Sequence, residues 1–172
     1  MNWISYPKTE PIPDFIKKTI ELFEKYSSEI DSTKNDNNQE RLKSDEVLSI
    51  FAEGLINLGY KVEKSKKRID KISIPVVYGQ SGKEELKFEA DAYHEEWKTV
   101  IEVEAGRAFT NYQFLKDIFQ ASMMMKTDYL IIVVRNLYNK HHDYEKINNF
   151  IEAIYLTNKI KLDLKGLILV GY

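Results

Sequence analysis

The sequence predicts a single α/β domain built on a mixed sheet with helices on its faces. Three observations predict it. Apolar residues recur at helical spacing in the first third of the chain, alternate after Gly59, and return to helical spacing beyond residue 110. The run 129–134 is almost wholly apolar, as a strand at the centre of a sheet is. At 172 residues the chain has the length of one domain.

The elements follow in order. Residues 14–30 place Phe15, Ile16, Ile20, Leu22, Phe23, Tyr26 and Ile30 on one side, just after Pro11 and Pro13, and predict an amphipathic helix. Residues 31–43 are almost entirely polar and read as a linker or exposed loop. Ser44 offers an N-cap for a second helix, whose stripe is Val47, Leu48, Phe51, Leu55 and Leu58, and Gly59 stops it. Residues 60–63 and 72–78 read as strands joined by a basic stretch, counted as one interrupted strand in the element order, with turn chemistry at 79–82.

Residues 86–93 alternate, with Leu86, Phe88, Ala90 and Ala92 on one face and Lys87, Glu89, Asp91 and Tyr93 on the other. Residues 98–104 alternate too, and the short connection between them predicts an antiparallel hairpin. Thr110-x-x-Gln113 has the form of a capping box, followed by a helix carrying Phe114, Leu115, Ile118, Phe119, Met123 and Met124. The methionine run 123–125 reads as core filler. After strand 129–134 come a helix over 143–156 and a final strand over 166–170. The order is α-α-β-β-β-α-β-α-β: residues 1–43 hold a first helix and linker, 44–134 the main body, and 135–172 a last helix and strand.

Composition narrows the function. With 43% hydrophobic and 30% charged residues the chain is not a disordered one. It has no cysteine, which excludes disulfides and thiolate metal sites. Its apolar runs fall short of the ~20 residues a membrane helix needs, and residues 1–10 lack a secretory signal pattern, so the expected compartment is the cytoplasm. A net charge of −2 excludes a broadly basic nucleic-acid binder and leaves local patches to do that work.

The hairpin carries the chemistry. Strand parity lets Asp91, Glu102 and Glu104 project from one face, with Glu89 as a fourth member. Glu102 faces Asp91 if the turn centres between Glu96 and Trp97; Val100 does if the centre moves back by one residue. Carboxylates so gathered repel, by about 3 kcal/mol for two charges 5 Å apart at an effective dielectric of 20. Two readings stay open: a solvated sheet face, or a site where a hard cation such as Mg²⁺ offsets the repulsion and activates water toward a phosphate.

Phe88-Glu-Ala-Asp91, nine residues, then Ile101-Glu-Val-Glu104, with a helix and strand 129–134 behind them, resembles the PD-(D/E)XK nuclease superfamily over residues 44–134. The closer likeness is to type II restriction endonucleases of the BglII and BamHI kind. The resemblance implies a restriction-endonuclease-like α-β-β-β-α-β core and a Mg²⁺-dependent endonuclease, with Mn²⁺ as the alternative metal, acting on double-stranded DNA as a homodimer. It further implies that Asp91, Glu102 and the backbone carbonyl of Val103 bind the metal and that Glu104 holds or activates the attacking water. Ala90 stands where the motif's proline would be, and Glu104 replaces the usual lysine.

Other residues carry paired readings. Glu46 joins the metal site through water, by the resemblance, or merely favours a helix N-terminus. Arg107 reaches the scissile phosphate or pairs with a nearby carboxylate. Lys116 substitutes for the motif lysine or is a solvated helix lysine. Lys61, Lys64, Lys66, Lys67, Arg68 and Lys71 put six positive charges into eleven residues, giving DNA-backbone contacts at Lys64, Lys66, Lys67 and Arg68 or a solvated loop. His94, His141 and His142 are assigned no role. Rival functions are a binding protein for DNA or protein that has lost catalysis, and a repair nuclease specific for DNA structure.

Overall fold

The chain runs β1 (Asn2–Tyr6), α1 (Asp14–Lys25), α2 (Ser27–Ile30), α3 (Ser44–Asn57), β2 (Lys61–Val62), β3 (Ile72–Tyr78), β4 (Glu84–Ala90), β5 (Ala92–His94), β6 (Thr99–Glu104), α4 (Gln113–Met123), β7 (Tyr129–Val134), α5 (Asp143–Thr157) and β8 (Gly166–Gly171). This is a computed structural model, and it describes residues 1–34, 41–65, 67 and 70–172.

Six strands form one mixed sheet in the order β1-β8-β7-β6-β5-β2, and β3 and β4 form a separate two-stranded ribbon. β6, β7 and β8 are parallel, joined through α4 and α5; β5 and β1 run antiparallel to β6 and β8 at either side. β7 lies inside the sheet with parallel neighbours on both sides, which is why it carries no polar residue.

The alternation of β6, β7 and β8 feeds two cores. Ile101, Val103, Ile131, Val133, Ile168 and Val170 pack under α1 and α3, with Ile16, Phe23, Phe51 and Leu55. Val100, Leu130, Ile132, Val134, Leu167 and Leu169 pack under α4 and α5, with Phe114, Ile118, Ile147 and Ile151. The domain is therefore an α/β structure with a mixed central sheet flanked by helices.

Several local expectations are corrected. Residues 14–30 form two helices, because Tyr26 (φ −99°, ψ 6°) breaks the first. β1 is an additional strand, antiparallel to β8 from Asn2↔Gly171 to Tyr6↔Leu167. Ser44 is the first helical residue of α3 and not its cap. The Thr110–Gln113 capping box does not form: Tyr112 precedes α4 in a left-handed conformation (φ 51°), whereas an N-cap residue is extended. Of the methionine run only Met124 is buried; Met123 and Met125 are exposed. Among the described residues no helix is long and apolar enough to cross a membrane.

The central strand carries stability, and the outer one adds little. Ile131→Ala, at a fully buried side chain of β7, should cost about 2–5 kcal/mol and lower Tm by roughly 5–15 °C in a thermal melt. Trp3→Ala, at a half-exposed residue of β1, should cost less than about half as much in the same melt.

Candidate active site: a buried carboxylate cluster

The site is made by a break in a ladder. β2 pairs with β5 (Lys61↔Tyr93, Val62↔Ala92), and the Glu63 N–H then donates to the Asp91 carbonyl at 2.8 Å. Pairing resumes at Ile72↔Ala90. Eight residues thus separate the two pairings on one strand and none on the other. The two runs read as strands from the sequence are separate strands, one in the main sheet and one in the ribbon, and not a single interrupted one.

The partner strand switches faces at the same point. On a regular strand Ala90 and Ala92 would share a face; here Ala90 is buried with the α4/α5 layer and Ala92 with the α1/α3 layer. Past Ala92↔Ile101 the backbone of β4 no longer follows β6. The Val103 N–H, which residue 90 would otherwise have faced, donates instead to Asp91 Oδ2 at 2.8 Å. The register Ala92↔Ile101, Tyr93↔Val100, His94↔Thr99 centres the turn between Glu96 and Trp97, so Glu102 occupies the position facing Asp91. His94 is structural: it stacks on Trp97 with ring centroids 3.9 Å apart, and its Nδ1 accepts the Trp97 N–H.

Glu102 and Glu104 follow Val100 on the α4 side of β6 and open into a cavity of about 440 Å³. Asp117 enters from α4, only 2% exposed. Gln113 Nε2 donates to its Oδ1 at 3.4 Å, and Lys116 Nζ stands 3.4 Å from the same oxygen. Across the cavity Lys71 is bonded to Glu63 at 2.8 and 2.9 Å and lies 3.4 Å from Glu89. Asp45, Glu63, Glu89, Asp91, Glu102, Glu104 and Asp117 put seven carboxylates around this space, against Lys71, Lys87 and Lys116.

Such an imbalance makes the acids hold their protons. Burial pushes the Asp91 carboxyl up to about 6, the Val103 N–H opposing it. Burial and the neighbouring Asp117 and Asp91 charges push Glu104 up to about 8. Glu102 is raised well above the ordinary range, first by burial and then by Asp91. Asp117 is raised by burial, against the pull of Lys116 and Gln113. The donor set fits a hard divalent cation, which prefers carboxylate oxygens and water, and Asp117 Oδ2 is buried with no hydrogen-bond partner among the described residues. No three His, Asp or Glu side chains among those residues stand ready as a metal-binding group. Mutual repulsion and the Asp91–Val103 hydrogen bond both oppose that convergence.

The structure brings together Asp91, Glu102, Val103, Glu104 and Lys116. Glu46 is not with them: it is exposed, and its carboxylate accepts the Lys43 N–H at 2.6 Å, capping α3, while its neighbour Asp45 lines the cavity. Arg107 lies outside it too, because a left-handed backbone (φ 63°) carries the chain into an adjoining pocket after β6. Lys64 and Lys67 are exposed, Lys64 along a separate groove beside α3. Lys66 and Arg68 fall outside the described residues. Asp117 escaped the sequence reading, although a carboxylate inside the stripe Phe114, Ile118, Ala121 is a visible anomaly. Gln113 serves Asp117 and not a cap.

No family model matches the chain, and neither does any curated protein or solved structure.

The raised acids fix the sign of a pH effect. Above the ordinary carboxylate range the unfolded chain has released protons that the folded site keeps, so stability falls as pH rises toward about 8. Without metal, Tm should drop by at least about 3 °C between pH 5.5 and 8, the equivalent of roughly 1 kcal/mol. In E104Q the drop should shrink and Tm at pH 8 should exceed that of the wild type, read by calorimetry in chelator.

Proposed function

We propose that this protein is a metal-dependent DNA endonuclease of the PD-(D/E)XK type, similar to a small type II restriction enzyme. The observation that carries the reading is the placement of Asp91 at a strand break against Glu102 and Val103, with Glu104 two residues on, in one polar cavity. This is the arrangement that the resemblance requires of D-x10-E-x-E. The restriction-endonuclease-like α-β-β-β-α-β core belongs to the same proposal, with α3, the β3–β6 strands, α4 and β7 in those roles.

Asp91 and Glu102, with the Val103 carbonyl, would hold Mg²⁺ or Mn²⁺; bound there, the cation supplies neutralisation of the phosphate and a more acidic water. The remaining work falls to the chain. Asp91, which lines the cavity, is oriented by the Val103 N–H, which fixes one of its oxygens. Glu104, once ionised, takes the proton of the attacking water as the new P–O bond forms and the strand's P–O bond breaks. Lys116, beside Asp117 at the cavity wall, supplies the ammonium that the motif position lacks and faces the charge developing on phosphate or leaving oxygen. A homodimer would let one duplex be cut on both strands.

Mixed-sequence plasmid incubated with Mg²⁺ or Mn²⁺ tests the reading. Wild type should give discrete fragments, and Asp91→Ala or Glu102→Ala should cut at least about 100-fold more slowly. A smear lost in both variants would keep the nuclease and discard the site specificity. Folded wild type that leaves plasmid, branched and single-stranded DNA intact would sink the enzyme and favour a binding protein on this fold. The rate should also rise with pH along one limb assigned to Glu104, starting from about 8 at low metal and moving down as Mg²⁺ is raised. The limb should vanish in E104Q.

A further inference from the structure

The pocket that received Arg107 has a character opposite to that of the carboxylate cavity. Arg41, Lys43 and Arg107 line a space of about 370 Å³ in which Glu104 is the one acidic side chain among the described residues. The two cavities meet at Ser44 and Glu104, which line both. Tyr138 is built into the wall: a Cβ on Gly106 would stand 2.7 Å from its ring, so only glycine allows that approach. The Arg41 guanidinium lies 4.7 Å from the centroid of the same ring. Arg107 is exposed and forms no ion pair among the described residues.

We propose that this basic pocket anchors a backbone phosphate of a DNA strand whose neighbouring phosphodiester lies among the carboxylates. The inference rests on the nuclease reading and adds to it the element that holds the substrate. Carboxylates outnumber lysines seven to three around the cavity among the described residues, those that ionise repel a polyanion, and a chain of net charge −2 has no general attraction to offer. Binding therefore needs a local cationic anchor that touches the reaction site. Two guanidinium forks suit phosphate oxygens better than point charges do. The Tyr138 ring packs against one of them, so less freedom is lost when phosphate arrives. Arg107 thus becomes a phosphate anchor beside the cavity, one step along the strand from the reacting bond.

The test is binding without cutting. A fluorescein-labelled, mixed-sequence DNA duplex is titrated in Ca²⁺ or chelator, and anisotropy is read at several salt concentrations. R41A/R107A should bind about tenfold or more weakly, with a log Kd against log salt slope lower by roughly 1, the value for one lost phosphate contact. K159A, a distant surface control, should match wild type. Y138A should weaken binding and Y138F should not, because the ring carries Arg41. Thermal melts verify folding; if the double alanine variant melts early, R41K/R107K is read in its place and should bind more weakly at an unchanged salt slope. Equal affinity and equal slope in wild type and the pocket variants would overturn the anchor while leaving the nuclease untouched. A wild type that neither binds nor cuts DNA would overturn both.

Discussion

The site hangs on one hydrogen bond, from the Val103 N–H to Asp91 Oδ2. In an unbroken antiparallel ladder that N–H would belong to a backbone carbonyl across the strand. Here the partner strand departs after Ala92, and a carboxylate side chain completes the ladder in place of main chain. The substitution does two things together. It spares β6 an unsatisfied donor where Val103 is buried, and it fixes an acidic oxygen over the face that carries Glu102 and Glu104.

The rest of the domain can be seen as the frame that makes this arrangement tolerable. Gathering carboxylates out of water is unfavourable, and the raised proton affinities of Asp91, Glu102, Glu104 and Asp117 are the direct expression of it. β6 cannot relax away, because it is locked on one side to β7 over six consecutive registers and packed between two apolar layers. The cluster is held in a costly geometry by a sheet that has no cheaper one, as sites of function often are.

The legible part of the fold was the part written in periodicity. β6, β7, β8 and the helices α3, α4 and α5 each carry a predominantly apolar stripe, and their existence followed from it. β1 did not show because only Tyr6 of its five residues is buried, so the strand has almost no pattern to display. Parity alone put Asp91, Glu102 and Glu104 on a common face, while the choice between Glu102 and Val100 opposite Asp91 depended on the turn, a matter of one residue. Glu46 and Asp45 are adjacent on a helix, and only its rotation and the Lys43 N–H decide which carboxylate is taken for capping. Arg107 illustrates the limit most sharply: three residues from Glu104 in sequence, it is turned aside by a single left-handed dihedral that no composition announces.

The uneven spacing of the two strands around Asp91 separates chain length from register. Glu63 bonds to Asp91 and Ile72 pairs with Ala90, so the eight intervening residues leave and re-enter at fixed neighbours. Lengthening or shortening such an excursion changes loop-closure entropy by well under about 1 kcal/mol, since the cost grows only with the logarithm of length. The hairpin register would not shift with it. This point beside the cavity is therefore a natural insertion port, where a reporter group or a grafted recognition peptide can be spliced in without shifting the strands that carry Asp91, Glu102 and Glu104.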